Sequence, residues 1–144
     1  MDNAERIKRV RSSWALAASD SERLSSLFYA NLFRADASTR PLFIGDLTLQ
    51  GRKLAQTLNF IVDHLEDEDV LVPAAVDLAV RHVSYGVVAG QYQSVGAALI
   101  ETLDSILGDS FSKEDRHAWL ETYTGLSAAM IEAAYPSQTA AKTH

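Results

Sequence analysis

Apolar residues recur at helical spacing along almost the whole chain. The clearest stretch follows Gln50, where apolar positions fall at i, i+4, i+7, i+8 and i+11; they are Leu54, Leu58, Ile61, Val62 and Leu65. This spacing places them on one face of an amphipathic helix. No segment alternates apolar and polar residues for long enough to predict a strand. The pattern therefore predicts an all-α chain of six to eight helices.

Capping and breaking residues predict where several of these helices begin and end. The stretch SDSE (19–22) has a serine followed three positions later by a glutamate, which is a capping box, and SKED (112–115) is expected to start the last helix. Pro73 fits the first turn of a helix that runs through Val83. Glycines at 86 and 108 are expected to end the helices that precede them.

One histidine, His82, lies in the middle of the otherwise apolar stretch VRHVSYG (80–86). On the predicted helix it shares a stripe with Leu78 and Ala79, while the valines at 76, 80 and 83 form a second stripe. Two apolar stripes on so short a helix imply two apolar contacts, one of which could be a large ligand. Spacing alone favours the other interpretation, a core histidine whose polar atoms are satisfied by a neighbour.

Length and composition limit the classes of protein that the chain can represent. Its 144 residues suit one domain, expected to span residues 1–136 with a flexible tail over 137–144. There is no cysteine, which excludes disulfides, iron–sulfur clusters, zinc–thiolate sites and thioether-linked haem or bilin.

Charge and hydropathy limit the partners that the protein can bind and the compartment in which it is expected. A net charge of −6 with scattered basic residues favours neither nucleic acid nor anionic lipid as a partner. The polar N-terminus lacks the apolar segment of a signal peptide, and no apolar run reaches the length of a membrane span. We therefore expect a cytoplasmic protein.

Familiar catalytic and metal-binding motifs are missing from the sequence. It contains no G-x-S-x-G, P-loop, G-x-G-x-x-G or H-E-x-x-H motif, and the other histidines, at 64, 117 and 144, have no partner at metal-ligand spacing. The acidic stretch EDED (66–69) is expected to be a solvated turn near the start of the next helix, because consecutive helical residues point in different directions.

Four stretches, taken in order, resemble the globin family. They are FYANLF (28–33), RPLF (40–43), QGRKLAQTL (50–58) and VRHVSYGVVAGQYQSVG (80–96), and Trp14 matches a tryptophan common late in the first globin helix. The resemblance covers about residues 5–135. It is strongest to bacterial single-domain globins, of the type of Vitreoscilla haemoglobin and the globin domain of flavohaemoglobin.

The resemblance implies a globin fold whose helices surround a non-covalently bound haem b. It implies His82 as the proximal ligand of the haem iron, with Leu78 under the porphyrin and the valine stripe facing the core. The remaining haem contacts that it implies are Phe43, Leu54, Tyr92 and Val95. It also implies Tyr29 and Gln50 as distal donors to a bound gas, with Leu54 restricting the space over the iron. The partners of the haem propionates are left open; Arg52, Lys53 and Arg81 are candidates by position only.

The chain departs from this group of globins in three places. Six residues separate Phe43 from Gln50, a short connection that could let Leu49 take the place of Gln50. Ala37 stands where a proline usually begins the third helix. The proximal network of these globins includes a tyrosine, matched by Tyr92, and a glutamate whose place falls to Ala134, with Glu132 the nearest acid. A network without that carboxylate makes the imidazole less anionic and O–O cleavage weaker.

The leading functional hypothesis is a globin that reversibly binds O₂, and also NO and CO. Oxidation of NO to nitrate is expected to need a separate reductase, because the sequence has no flavin or nicotinamide domain. A haem-based gas or redox sensor that signals to a partner protein is the alternative. A globin-fold interaction protein that has lost haem is the third hypothesis, and a homodimer is compatible with any of them.

Overall fold

The computed structural model describes residues 1–135, and all of its regular structure is helical. The six α-helices are α1 (Asn3–Ala17), α2 (Ser21–Ala35), α3 (Leu47–Asp63), α4 (Glu68–Ser84), α5 (Ala89–Leu107) and α6 (Lys113–Ala134). Short 3₁₀ segments lie at Ala18–Asp20, Ala37–Leu42 and Gly108–Ser110. The prediction of an all-α chain with six to eight helices is confirmed. The predicted tail, 137–144, lies outside the described residues.

One apolar core is shared by most of the helices. In the described part of the chain α2 packs on α5 and α3, while α6 packs on α1 and α4. Two tryptophans meet at the α1–α6 contact: the rings of Trp14 and Trp119 lie 6.1 Å apart. Both indole N–H groups are satisfied, because Trp14 donates to Asn59 Oδ1 (2.6 Å) and Trp119 donates to Ser13 Oγ (2.7 Å).

The start of α2 differs from its prediction. Its N-cap is Asp20, whose carboxylate accepts the backbone N–H of Arg23 at 3.1 Å. Ser19 lies within the 3₁₀ turn that continues α1, so its hydroxyl donates back to the Leu16 carbonyl instead of capping the next helix. The predicted Ser19–Glu22 capping box is therefore wrong. The one at Ser112 and Asp115 is confirmed.

Helix α4 begins five residues before the predicted position, at Glu68. Glu68 and Asp69 occupy its first turn, where carboxylates interact favourably with the helix dipole. Pro73 consequently lies inside the helix, on its exposed side, where water can satisfy the carbonyl left without its N–H partner. The EDED stretch is exposed throughout, as predicted.

The valine stripe of α4 does not face the core, which corrects the prediction made above. Val76, Val80 and Val83 are 42%, 59% and 45% exposed. The contact of α4 with α6 is made instead by Ala75 and Ala79, which pack in one cluster with Met130. Methyl side chains let the two helices approach closely, and this orientation turns the valines outward.

Within residues 1–135 no single helix is long and apolar enough to cross a membrane. Helix α4 and the segment Ala89–Ser110 together meet the criteria of length and composition, but they are bent by 113° where they join.

Candidate haem pocket

His82 lies at the last turn of α4 and is held there by backbone bonds. The N–H of Val87 donates to the His82 carbonyl, and the N–H of Gly86 donates to the Val83 carbonyl, both at 3.0 Å. This pair of bonds is a Schellman motif, which requires a left-handed residue, and Gly86 has φ +92°. The predicted end of the helix at Gly86 is confirmed, and it fixes the backbone of the histidine.

The imidazole of His82 is oriented by a second backbone bond. Its Nδ1 lies 2.6 Å from the Leu78 carbonyl oxygen, one turn earlier on α4. A carbonyl can only accept, so Nδ1 carries a proton, and in the neutral imidazole the lone pair is then on Nε2. Metal-bound histidines commonly have this arrangement, with the nitrogen that does not bind the metal donating to a carbonyl.

Tyr92, on α5, packs against this imidazole. The two ring centroids are 6.0 Å apart with 24° between the planes. Tyr92 is only 6% exposed, and its buried hydroxyl has no hydrogen-bond partner among residues 1–135. Burial, and to a smaller extent Tyr135, raise the pKa of this hydroxyl. Because an unpaired buried hydroxyl is costly, its presence beside His82 fits a site shaped for a bound group.

The end of α6 occupies the place where the resemblance put a proximal carboxylate. Ala134 is half-buried there and Glu132 is exposed. The hydroxyl of Tyr135 donates to the Val87 carbonyl at 2.7 Å, and that of Tyr123 donates to the Tyr92 carbonyl at 2.5 Å. Both bonds hold the backbone at the start of α5, which carries Tyr92.

The residues predicted for the distal side include three aromatic rings that form a cluster. Tyr29 packs edge-on against Phe43 (centroids 5.1 Å) and is stacked with Phe33 (5.9 Å). Phe33 in turn contacts Phe43 at 5.6 Å and carries the Arg40 guanidinium over its outer face. Burial raises the pKa of Tyr29 to about 12, so its hydroxyl stays protonated and able to donate at neutral pH.

The segment that carries Phe43 is tied to α5 by polar contacts. Asp36 caps the 3₁₀ segment through the N–H of Ser38 and also accepts the hydroxyl of Ser94 at 2.7 Å. The bond to Ser38, followed by that to Ser94, lowers the pKa of Asp36. Ser38 accepts the Gln91 amide at 3.2 Å. A helical segment therefore forms here with an aspartate cap, although the proline usual in similar globins is absent.

Gln50 lies in the first turn of α3, because that helix begins at Leu47. Its amide nitrogen donates to the Ile44 carbonyl at 2.5 Å. The short connection after Phe43 brings this carbonyl within reach. Leu49, the alternative distal residue, is half exposed. A distal role for either residue stays a prediction.

The apolar residues predicted to contact haem come from four elements. Phe43 follows the 3₁₀ segment, Leu54 lies on α3, Leu78 on α4 and Val95 on α5; all four are only partly buried and pack against the same core cluster. Leu78 also packs against the cluster that contains Tyr92. Apolar side chains left partly uncovered fit contact with a large apolar group.

The three basic residues predicted to meet propionates are all exposed. Arg81 pairs with Asp77 on the same helix at 2.6 Å. Both residues line a cavity of about 330 Å³ between α3 and α4; its walls are Gln56, Thr57, Phe60, Ala74, Asp77, Leu78 and Arg81. Arg81 therefore lies at a cleft that reaches Leu78, while Arg52 lines a different cavity.

Two contacts that shape the pocket were not anticipated from the sequence as site features. Phe33 bridges Tyr29 and Phe43, and its position four residues after Tyr29 could have indicated this. Gly51 lets α3 approach α2: a Cβ at this position would lie 2.6 Å from Ser25 Oγ. Nothing in the spacing of the chain distinguishes this glycine from the others.

Comparison with known families gives a match over most of the chain. The model of the family described as Globin matches residues 26–130. The chain belongs to the globin family. This membership and the helical architecture confirm the fold and the family predicted from the sequence.

Relatives of this globin include long and short proteins. A protein named flavohemoprotein from Bordetella parapertussis is 30% identical over 113 residues, which are 76% of this chain and 28% of the relative. One of the same name from Rhodopirellula baltica is 27% identical over 128 residues, 87% of this chain and 31% of the relative. Globin-1 subunit beta of Anadara trapezia is 26% identical over 141 residues, 90% of this chain and 93% of the relative. The chain thus spans less than a third of the length of these two flavohemoproteins.

Proposed function

We propose that this globin binds haem b non-covalently, with His82 as the proximal ligand, and reversibly binds a diatomic gas. The observation that carries the proposal is the environment of the imidazole: Nδ1 is bonded to the Leu78 carbonyl, and the ring packs against Tyr92, whose buried hydroxyl has no partner in the described part of the chain. His64 makes a similar bond to the Phe60 carbonyl (2.8 Å) but stacks on that phenylalanine at the end of α3. The carbonyl bond alone therefore does not define the site.

Bound haem would supply an iron atom with one coordination position for the protein and one for the gas. The residues of the chain would do the rest. His82 Nε2 offers the ligand lone pair, and the Leu78 carbonyl keeps it pointing in one direction. Phe43, Leu54, Leu78 and Val95 would contact the apolar faces and exclude water. The protonated Tyr29 hydroxyl would donate to a gas that carries partial negative charge, a bond worth about 1 kcal/mol or more.

The first experiment is titration of the apoprotein with haemin. We expect an intense Soret band that saturates at one haem per chain. His82→Ala should remove the iron–histidine vibration from the Raman spectrum of the ferrous protein, and His82→Gly should regain a ligand signal when imidazole is added. His64→Ala is the matched control and should behave as the wild type. Absence of a Soret band, or an unchanged iron–histidine vibration in His82→Ala, would contradict the proposal.

We propose O₂ binding with NO oxidation as the second activity of the same site, supported by the similarity to proteins named flavohemoprotein. The reaction combines NO and O₂ with one electron to give nitrate, so each turnover needs a reductant from outside residues 1–144. Mixing the oxygenated protein with NO in a stopped-flow instrument should give rapid nitrate formation, slowed in Tyr29→Phe. Equal rates in the two proteins would remove Tyr29 from this role.

A further inference from the structure

A second cavity, of about 370 Å³, lies between α2 and the first turns of α3. Its lining residues are Ser21, Glu22, Ser25, Ser26, Tyr29, Ala30, Phe33, Leu47, Thr48 and Arg52. They fall into two groups. Hydroxyl and charged side chains at exposed positions, such as Ser26, Thr48 and Arg52, are available to water, whereas Tyr29 is buried and Phe33 and Leu47 are half-buried. The cavity therefore leads from solvent to an aromatic floor.

The aromatic floor of this cavity contacts Phe43, one of the residues predicted to hold haem. Tyr29 lines the cavity, and the same ring packs edge-on against Phe43, with 5.1 Å between centroids. Phe33 likewise lines the cavity and contacts Phe43. At this place one layer of aromatic rings separates the cavity from the residue predicted to stack on haem.

The helix contact beside the cavity limits how far it can close. Ser25 lines the cavity, and the glycine opposite it, Gly51, already brings α2 and α3 as near as a serine side chain allows. At the start of α3, the amide of Gln50 donates to the Ile44 carbonyl. A small neutral molecule can pass a single ring by displacing it, whereas a larger or charged molecule would need the helices to separate.

We propose that the α2–α3 cavity is an access route for the diatomic gas, with the Tyr29 ring as its gate. This inference rests on the proposed function, since it assumes a gas bound in the pocket behind Phe43. Tyr29 then has two roles at one position: its hydroxyl donates to the gas, and its ring controls passage. An access route affects the rates at which the gas enters and leaves, whereas a contact with the bound gas affects its affinity.

The test is flash photolysis of CO from the haem-loaded protein in two variants that fill the cavity, Ser26→Trp and Ala30→Trp. Both replaced side chains line the cavity at exposed positions on α2. Narrowing a route raises the barrier in both directions and leaves the end states unchanged. We therefore expect CO association and dissociation to slow by the same factor, on the order of tenfold, with the equilibrium constant preserved. Ser12→Trp, an identical exchange at an exposed position of α1, is the matched control and should leave both rates unchanged.

Different failures can be told apart in this experiment. If neither cavity-filling variant slows CO binding relative to Ser12→Trp, the route is wrong while haem binding stands. If only the association rate or only the dissociation rate of CO changes, the equilibrium constant for CO changes too. That result would show that the tryptophans disturb the pocket, and it would also contradict the proposed route. If CO binding slows only in Gln50→Trp, the gas enters beside Gln50 at the start of α3, and the proposed route is wrong. Absence of a Soret band in the wild type would contradict the proposed function itself.

Discussion

Three of the five tyrosines contribute to the core, and each of their hydroxyls is in a different situation. Tyr123 donates to a backbone carbonyl, Tyr92 has a buried hydroxyl without a partner among the described residues, and Tyr29 belongs to the aromatic cluster and lines the α2–α3 cavity. The unpaired hydroxyl costs about 1–3 kcal/mol in comparison with a satisfied one. These differences arise from the arrangement of helices, and the residue type alone does not indicate them.

The buried tyrosines make the stability of the apoprotein sensitive to alkaline pH. Burial raises the pKa of Tyr29 to about 12, and the pKa values of Tyr92 and Tyr123 are also raised, again mainly by burial. In the unfolded chain a tyrosine titrates near pH 10. The raised folded pKa means that this contribution to stability is complete below pH 10 and is lost as the pH rises toward 12.

We therefore expect the urea midpoint of the apoprotein to fall between pH 10 and 12, and to fall less in Tyr29→Phe. The midpoint is followed by circular dichroism, with Tyr85→Phe as the control, because Tyr85 is 61% exposed. An equal decline in both variants would show that Tyr29 does not contribute to the effect.

At the scale of the element, α4 is the helix whose orientation departs most from its sequence pattern. Valines at helical spacing indicate a core-facing stripe, yet they are exposed, and the alanines that precede two of them, Ala75 and Ala79, are buried. The side of α4 that comes closest to α6 must carry small residues. A pattern of hydrophobic positions does not contain the distance between two helices, so it could not indicate this. The single face occupied by Leu78 and His82 could still be predicted, because i and i+4 share a face on any helix.

Two neighbouring substitutions on α4 test this orientation. Ala79→Leu should lower the free energy of unfolding by about 1–3 kcal/mol, because Ala79 is fully buried and has no space for a larger side chain. Val80→Ala should change it by less than about 0.5 kcal/mol, since Val80 is 59% exposed. Urea unfolding of the apoprotein measures both. The reverse order of effects would mean that the valine stripe is the buried face.

At the scale of the whole molecule, the fold and the family could be predicted from motif order, while contacts between distant segments could not. The four stretches that resemble globins all lie within residues 26–130, the part that the family model matches. The bond from Gln50 to the Ile44 carbonyl depends on the length of one connection, and the close approach of α2 to α3 depends on a serine meeting a glycine 26 positions later. Such contacts are set by packing, which a pattern along one chain does not contain.

The paired tryptophans at the α1–α6 contact have a consequence for observing this protein. Trp14 and Trp119 are the only two indoles in the sequence, and both are buried and hydrogen-bonded. Their fluorescence reports on the core of the fold, and a bound porphyrin nearby would quench it by energy transfer. Tryptophan fluorescence can therefore distinguish unfolded protein, folded apoprotein and haem-bound protein without a label.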